Sequence, residues 1–164
     1  MNQPDLTLVL AGKKEFYFEE LEEWAKQRPS YESIRLTGFI EDNELKWLYS
    51  NCKLFVCLPS DEGFGLPPVE AAKCGAPVLV SDLPVFRETL GSYATFVAPT
   101  DTDAIAEHAR RMVTNDSRPS KSYTERYSWS SVCMAIRDEL QLATPKPRSR
   151  IHWARAALVP DWRA

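Results

Sequence analysis

The chain has 164 residues, of which 44% are hydrophobic and 26% charged, and its formal net charge at pH 7 is −3. This length leaves room for one domain of ordinary size, and the mildly acidic balance gives no reason to expect a nucleic-acid partner. No apolar run approaches the roughly 20 residues of a membrane-spanning helix, and residues 1–5 lack the features of a signal peptide, so a cytoplasmic protein is expected.

Five short apolar runs are predicted to be strands. They cover residues 6–11, 34–37, 53–58, 77–80 and 94–97. Their continuous apolar character is typical of parallel strands that are buried on both faces. Helical segments alternate with these runs, which predicts one small α/β domain.

The helical segments carry apolar side chains at helical spacing, and we expect these stripes to be core rather than cofactor contacts. Asp42 is predicted to cap the second helix, and Asp101 or Thr102 is predicted to start a later one. The first helix is predicted over residues 18–26. The side chains expected to face inward are Phe18, Leu21 and Trp24 in the first helix, Leu45, Leu48 and Tyr49 in the second, and Ile105, Ala109, Met112 and Val113 in the later one.

The most informative segment is a glycine-rich turn, residues 62–70, between the predicted strand 53–58 and a short helix. In an open α/β sheet, ligands bind at such turns, beyond the carboxyl ends of the strands. Gly63 and Gly65 adopt positive φ readily and allow backbone N–H groups to approach a ligand. Because proline disfavours helical geometry in the residue before it, the helix is expected to begin near Pro68.

Two carboxylates, Glu62 and Glu70, bracket this turn. The N–H groups and the dipole of a helix start attract phosphate, whereas carboxylates repel it, so both are expected to bind hydroxyl groups. A carboxylate can accept two hydrogen bonds from the vicinal diol of a ribose. Two plainer interpretations stay open: Glu70 complements the helix dipole or closes a capping box, and Glu62 is a solvated loop carboxylate beside Asp61.

Two glutamates eight positions apart around Gly-Phe-Gly-Leu-Pro resemble the E-x7-E signature of retaining glycosyltransferases of the GT-B fold, family GT4 (group 1), especially bacterial mannosyltransferase-like members. Other segments resemble landmarks of that family's C-terminal, donor-binding domain, in the right order. They are residues 8–14, 36–39, 48–49, 77–81, 86–88, 97–99 and 127–129. The resemblance predicts a Rossmann-like parallel sheet with flanking helices over residues 1–142.

The resemblance implies retaining transfer of a mannose-like hexose from a nucleotide diphosphate sugar to an acceptor hydroxyl, in polysaccharide biosynthesis. By that resemblance, Glu70 holds the donor ribose, and Glu62 is the catalytic carboxylate that contacts the donor sugar or its phosphate region. The backbone N–H groups that contact the sugar and the diphosphate come from Gly63, Phe64, Gly65 and Leu66. Such enzymes are usually metal-independent, so no metal or other cofactor is expected.

The chain also departs from the family. A complete enzyme has an N-terminal acceptor-binding domain, for which this length leaves no room. The family has a further first strand, with a Gly-Arg turn and a Lys that grip the diphosphate, before the strand that residues 6–11 resemble. Lys13, Lys14 and Arg87 are the candidate phosphate contacts here, although Arg87 and Glu88 can equally pair on the surface. Without the first strand, two halves of the sheet are each expected to expose an apolar edge.

We therefore expect the isolated chain to transfer no sugar, and a truncated reading frame or gene is the favoured explanation. The alternative function is a non-catalytic nucleotide- or partner-binding fragment that another chain completes. Residues 143–164 form a basic tail with prolines, Trp153 and Trp162. This tail is expected either to contact anionic lipid at the inner membrane face or to have no packed role.

The cysteines show no zinc-ligand spacing. Most of them lie in apolar surroundings in the sequence, so buried, reduced thiols are predicted. The four are Cys52, Cys57, Cys74 and Cys133.

Overall fold

The computed structural model of the chain describes residues 6–14, 17–115, 118, 119, 123 and 128–143. These residues belong to two compact units, Met1–Thr124 and Glu125–Ala164. The first unit contains every described strand, and the second contains one described helix.

Strands and helices alternate along the first unit, as the sequence predicts. The strands are β1 (Leu8–Ala11), β2 (Ile34–Gly38), β3 (Phe55–Cys57), β4 (Val78–Ser81) and β5 (Thr95–Val97). The helices are α1 (Phe18–Lys26), α2 (Asp42–Asn51), α3 (Leu66–Lys73), α4 (Pro84–Leu90) and α5 (Thr102–Thr114). The described helix of the second unit is α6 (Trp129–Ala143).

The described strands form two parallel sheets. One sheet pairs β1 with β2, and the other has the order β3-β4-β5. Leu79 in β4 lies opposite Val56 on one side and Thr95 on the other. Parallel neighbours need a crossover connection, which α3 supplies between β3 and β4, and α4 between β4 and β5. The predicted fold class, α/β with parallel sheets and flanking helices, is confirmed.

Both β1 and β3 have one edge that no described strand pairs with. Their apolar side chains are partly exposed: Leu8 by 51%, Val9 by 37% and Val56 by 44%. Parallel strands of this composition are normally covered on both faces. The predicted division of the sheet into two parts with exposed apolar edges is therefore confirmed for the described residues.

The hydrophobic core is centred on β4, all four residues of which are buried. The side chains of Leu79 and of Phe86, on α4, are fully enclosed. Tyr49 of α2 and Val69 of α3 belong to the same cluster. The core thus joins α2, α3 and α4 to the three-stranded sheet.

The prediction that α1 contributes a stripe of core residues is wrong in part. Its bounds agree with the prediction, and Phe18 is half-buried, but Leu21 is 38% exposed and Trp24 is 48% exposed. The guanidinium of Arg28 lies 4.3 Å from the centre of a Trp24 ring and covers one face of the indole. A cation–π contact takes the place of core packing there.

The starts of α2 and α5 agree with the predictions to within one residue. Asp101 caps α5, and its Oδ1 accepts a hydrogen bond from the N–H of Ala104 at 2.9 Å. The cap of α2 is Glu41 rather than Asp42, because the carboxylate of Glu44 accepts a hydrogen bond from the N–H of Glu41 at 3.0 Å. The predicted inward residues of α5 are half-buried, and those of α2 are half-buried or buried.

The cysteine prediction holds for three of the four residues. Cys52, Cys57 and Cys74 are free and half-buried, whereas Cys133 on α6 is exposed. Burial raises the pKa of the Cys52 and Cys57 thiols, which favours the protonated, unreactive form. Cys133 was misjudged because an apolar neighbourhood in sequence does not show whether a helix face is covered.

The second unit is described over residues 128–143. Ser128 and Ser131 cap the start of α6 reciprocally, since the N–H of each donates to the Oγ of the other at 3.1 Å. In the part of the chain that is described, no helix is long and apolar enough to cross a membrane. The predicted tail lies outside the described residues beyond position 143, so the domain boundary near 142 and the lipid contact stay predictions.

Two leucines in different sheets allow the burial pattern to be tested. We expect Leu79→Ala to lower the free energy of unfolding by about 2–5 kcal/mol, because it leaves a cavity in the core. Leu8→Ala removes the same atoms from a side chain that is 51% exposed and is expected to cost less than about 1 kcal/mol. Urea unfolding of the two variants measures the difference, and equal losses would contradict this burial pattern.

Candidate functional site

The turn between β3 and α3 is held to the core at its entry. The Oγ of Ser81, a fully buried residue at the carboxyl end of β4, donates a hydrogen bond of 2.6 Å to the carbonyl of Pro59. The loop that leaves β3 is thereby fixed to the neighbouring strand. Ser81 was not recognised as important from the sequence, because a serine at a strand end carries no distinctive pattern.

Gly65 fixes the other end of the turn. It precedes α3 with φ 82° and ψ 53°, in the left-handed region that favours glycine. A Cβ at this position would lie 2.9 Å from Cδ1 of Phe86 and closer still to Cε1. The backbone therefore rests directly on a buried aromatic ring, and only glycine fits.

The prediction that α3 begins near Pro68 is wrong, since the helix begins at Leu66. Prolines suit the first turn of a helix, where N–H groups have no partner within the helix. Burial of Pro68 and Val69 in the core outweighs the local preference of the residues that precede proline. The start of the helix is thus set by long-range packing.

Because α3 begins at Leu66, few backbone N–H groups of the turn are available to a ligand. Pro67 and Pro68 have none, and the N–H of Gly63 donates to Oε1 of Glu62 at 3.2 Å. Leu66 is then the first-turn residue of α3 that carries an N–H group. The turn is therefore a weaker anion site than a helix start with three free donors. The predicted ligand contacts of the N–H groups at Gly63, Phe64, Gly65 and Leu66 stay predictions.

Glu70 is the fifth residue of α3 and is exposed. It lies beyond the first turn, where α3 has no acidic residue, so the capping-box interpretation does not apply. Burial, and then the negative charge of Glu70, raise the pKa of Tyr49 to about 12. This effect was not expected from the sequence, since Tyr49 was predicted as a core residue alone.

Glu62 is half-buried and lies near the carboxyl end of β3. Burial raises the pKa of the Cys57 thiol, and the negative charge of Glu62 adds to the effect. Glu62 thus precedes the turn, whereas Glu70 lies in the helix that follows it. The contact of Glu62 with a ligand stays a prediction.

The guanidinium of Arg87 is already hydrogen-bonded to another side chain of the chain. Its Nε and Nη2 donate to the two carboxylate oxygens of Asp82 at 2.5 and 2.8 Å, and its guanidinium lies 4.9 Å from the centre of the Phe96 ring. The hydrogen bonds from Arg87 lower the pKa of Asp82. A phosphate would have to compete with Asp82, so the predicted contact of Arg87 with phosphate stays a prediction.

Lys13 and Lys14 follow β1, in the two-stranded sheet, whereas the turn follows β3 in the other. The Nζ of Lys14 lies 4.9 Å from the centre of the Phe18 ring. Their predicted contact with phosphate stays a prediction. No group of three or more His, Cys, Asp or Glu side chains that could hold a metal ion occurs in the described ranges. Metal independence stays a prediction as well.

Arg118 is a further residue that the sequence did not single out. Its Nη2 donates to the carbonyl of Ser50 at 2.5 Å, and its Nη1 donates to the carbonyl of Gly75 at 3.3 Å. These carbonyls lie at the carboxyl ends of α2 and α3, where the helix dipoles favour a cation. One side chain therefore links the two helices that carry Tyr49 and Glu70.

The fold is that of GT-B glycosyltransferases. The chain is similar to crystal structures of Anabaena HepE in complex with UDP, with UDP and glucose, and with UDP-glucose. For the UDP complex, the TM-score is 0.66 and the sequence identity is 21%, over 85% of this chain and 42% of HepE. This likeness shows that the fold of the chain belongs to the GT-B class.

Within that class, the family model described as "Glycosyl transferases group 1" matches residues 1–128, and the chain belongs to this family. It is 33% identical over 110 residues to the O-antigen chain mannosyltransferase B of Escherichia coli, covering 67% of this chain and 29% of that protein. It is 27% identical over 155 residues to the GDP-mannose:cellobiosyl-diphosphopolyprenol alpha-mannosyltransferase of Xanthomonas oryzae, covering 88% and 41%. The chain thus spans less than half the length of these relatives.

The contact between Gly65 and Phe86 gives a sharp prediction. Gly65→Ala is expected to lower the free energy of unfolding by more than about 2 kcal/mol, because left-handed backbone costs about 1–2 kcal/mol and overpacking adds about 1–3 kcal/mol. Gly63→Ala is the matched control, since a Cβ there meets nothing within 4 Å. Thermal unfolding compares the two variants, and similar stabilities would mean that the turn does not rest on the ring.

Proposed function

We propose that this chain is the donor-binding part of a retaining glycosyltransferase and that residues 62–70 hold a nucleotide diphosphate sugar. The observation that carries the proposal is a turn fixed at both ends by the core, with one carboxylate on each side. Two carboxylates beside a turn poor in free N–H groups suit a ligand rich in hydroxyls better than an isolated phosphate.

Each residue of the turn has a role in this proposal. Glu70 accepts hydrogen bonds from the ribose diol, and Glu62 contacts the donor sugar or its adjoining phosphate. Backbone N–H groups at Phe64, Gly65 and Leu66 contribute to binding the diphosphate. Departure of the charged diphosphate is then stabilised by preorganised donors, without a metal ion. Lys13, Lys14 and Arg87 are the candidates for the additional positive charge.

The names of the relatives support a mannose-like hexose as the transferred sugar. Several of them are mannosyltransferases, and the Xanthomonas oryzae relative is named for GDP-mannose. The HepE structures contain UDP or UDP-glucose, so guanosine and uridine donors are both to be tested. The acceptor is bound by a further domain in this proposal, and the isolated chain is expected to transfer no sugar.

The exposed edges favour a second candidate function. β1 and β3 leave apolar side chains uncovered, and an edge of this kind is a template for another strand. The chain would then be a non-catalytic nucleotide- or partner-binding fragment that another polypeptide completes. Turnover is the discriminating measurement: sugar transfer restored when an acceptor-binding domain is supplied supports the enzyme, and donor binding without transfer supports the fragment.

Glu70→Gln tests the ribose contact. We expect it to weaken binding of both a nucleoside diphosphate and its nucleotide-sugar by about 10- to 100-fold, because hydrogen bonds to a charged group are worth about 1.5–3 kcal/mol. Isothermal titration with GDP, UDP, GDP-mannose and UDP-glucose makes the measurement. Glu107→Gln, at an exposed position on α5, is the charge-matched control. Unchanged affinity for Glu70→Gln would refute the ribose assignment.

Glu62→Gln tests whether Glu62 contacts the sugar or the diphosphate of the donor. If Glu62 contacts the sugar, the variant binds the nucleotide-sugar about 10-fold more weakly, while its affinity for the nucleoside diphosphate is unchanged. The same titrations measure both ligands. An equal loss for the two ligands would place Glu62 at the diphosphate, and no loss for either would remove it from the site.

A further inference from the structure

We propose that Arg118 is a positioning residue for the donor site: by holding the carboxyl end of α3 against α2, it sets where the carboxylate of Glu70 meets the donor ribose. This inference rests on the proposed function, because it concerns how the helix that carries Glu70 is held. Arg118 lies in the segment after α5 and is not part of the turn.

Arg118 binds one backbone carbonyl at the carboxyl end of each helix. Ser50 lies in the last turn of α2, and Gly75 follows the C-cap of α3 with a left-handed φ of 80°. Nη2 of Arg118 donates to the carbonyl of Ser50 at 2.5 Å, and Nη1 donates to the carbonyl of Gly75 at 3.3 Å. Carbonyls at a helix end have no partner within the helix, so one side chain supplies donors to two such ends.

The shape of the guanidinium makes this link a spacer as well as a charge. The group is planar, and its N–H groups point in fixed directions. Two carbonyls that are bonded to its two terminal nitrogens are therefore held at one separation, and the ends of α2 and α3 with them. A lysine ammonium would keep the favourable interaction with both helix dipoles, but it is a compact point charge that lacks this rigid geometry.

Because α3 is short, its two ends determine where Glu70 lies. The helix has eight residues and is about 12 Å long, since an α-helix rises about 1.5 Å per residue. Its amino end rests on the ring of Phe86 through Gly65. A helix that is fixed at one end can still pivot about that end, and such a rotation moves Glu70, the fifth residue, more than Leu66, the first. Contacts at the carboxyl end therefore control the position of Glu70 more than that of the turn.

Two side chains donate to the backbone at this carboxyl end. The hydroxyl of Tyr93, just before β5, donates to the carbonyl of Ala76 at 2.9 Å and ties the exit of α3 to the three-stranded sheet. Arg118 donates to the adjacent carbonyl, that of Gly75, and ties it to α2. The position of α3 relative to the sheet and its position relative to α2 are thus set by different side chains. Preorganisation of Glu70 by Arg118 increases donor affinity without a contact between Arg118 and the ligand.

Arg118→Lys in the full chain tests the proposal, because it keeps the positive charge and removes the planar link. We expect it to weaken binding of GDP and GDP-mannose, or of UDP and UDP-glucose if the parent binds those, by about 3- to 10-fold. The loss should be equal for the nucleoside diphosphate and its sugar, since both contain the ribose. Isothermal titration makes the measurement, and unchanged affinity would overturn the proposal.

The double variant Arg118→Lys/Glu70→Gln shows whether the effect passes through Glu70. In the Glu70→Gln background, Arg118→Lys is expected to change the affinity little, because the carboxylate that Arg118 positions is no longer present. A stabilising residue without a positioning role would lower the affinity by the same factor in both backgrounds. Equal losses in the two backgrounds would therefore refute the positioning role.

Arg28→Lys is the matched control. It makes the same chemical change at another exposed arginine with a defined contact, since the guanidinium of Arg28 lies 4.3 Å from the centre of a Trp24 ring on α1. We expect the donor affinity of this variant to equal that of the parent. If Arg28→Lys weakened binding as much as Arg118→Lys, the affinity would follow general destabilisation, and the proposal would be wrong.

Amide hydrogen exchange tests the link in the absence of any ligand. At the carboxyl end of α3, the N–H of Cys74 donates to the carbonyl of Glu70 at 3.0 Å, and at the amino end the N–H of Val69 donates to the carbonyl of Gly65 at 3.3 Å. Arg118→Lys is expected to speed exchange several-fold at Cys74 and to leave Val69 unchanged. Equal rates of exchange at Cys74 in variant and parent would refute the link. If the parent binds no nucleotide-sugar but Cys74 exchanges faster in the variant, the proposed function fails while the link between α2 and α3 stands.

Discussion

The contact between the backbone of Gly65 and the ring of Phe86 is the constraint on which the site depends. It fixes the end of the turn and the start of α3, and through α3 it fixes the position of Glu70. Ser81 fixes the other end of the same turn through Pro59. Because Phe86 and Ser81 both belong to the buried region around β4, the geometry of an exposed loop is determined by the core.

Much of this fold follows from the order of apolar runs along the chain. The bounds of α1 and the starts of α2 and α5 were predicted to within one residue, because caps and periodicity are local signals. The start of α3 was missed because Pro68 is buried by residues distant in sequence. The exposure of Trp24 was missed because a periodic stripe shows which residues share a face, but not what covers that face.

The sequence pattern predicts which residues form the candidate site, but not which other side chains they contact. The two glutamates and the two glycines between them are visible as a local pattern, and the family match confirms the class to which that pattern belongs. Arg87 is bonded to Asp82, five positions earlier, and Arg118 binds carbonyls at the ends of two helices that precede it by more than 40 residues. Contacts of this kind depend on the packing of whole elements, which spacing along a sequence does not encode.

Arg118 shows how far the determinants of a binding site extend. It lies 68 residues from Ser50 and 43 from Gly75 in the chain, in the segment after α5, yet it links the carboxyl ends of the two helices beside the turn. If the turn binds the donor as proposed, a selection for variants with weakened donor binding should return position 118 together with the glutamates. Arg118 would be absent from a list of ligand contacts. A graft of the turn alone onto another scaffold would lose the link that Arg118 makes between α2 and α3.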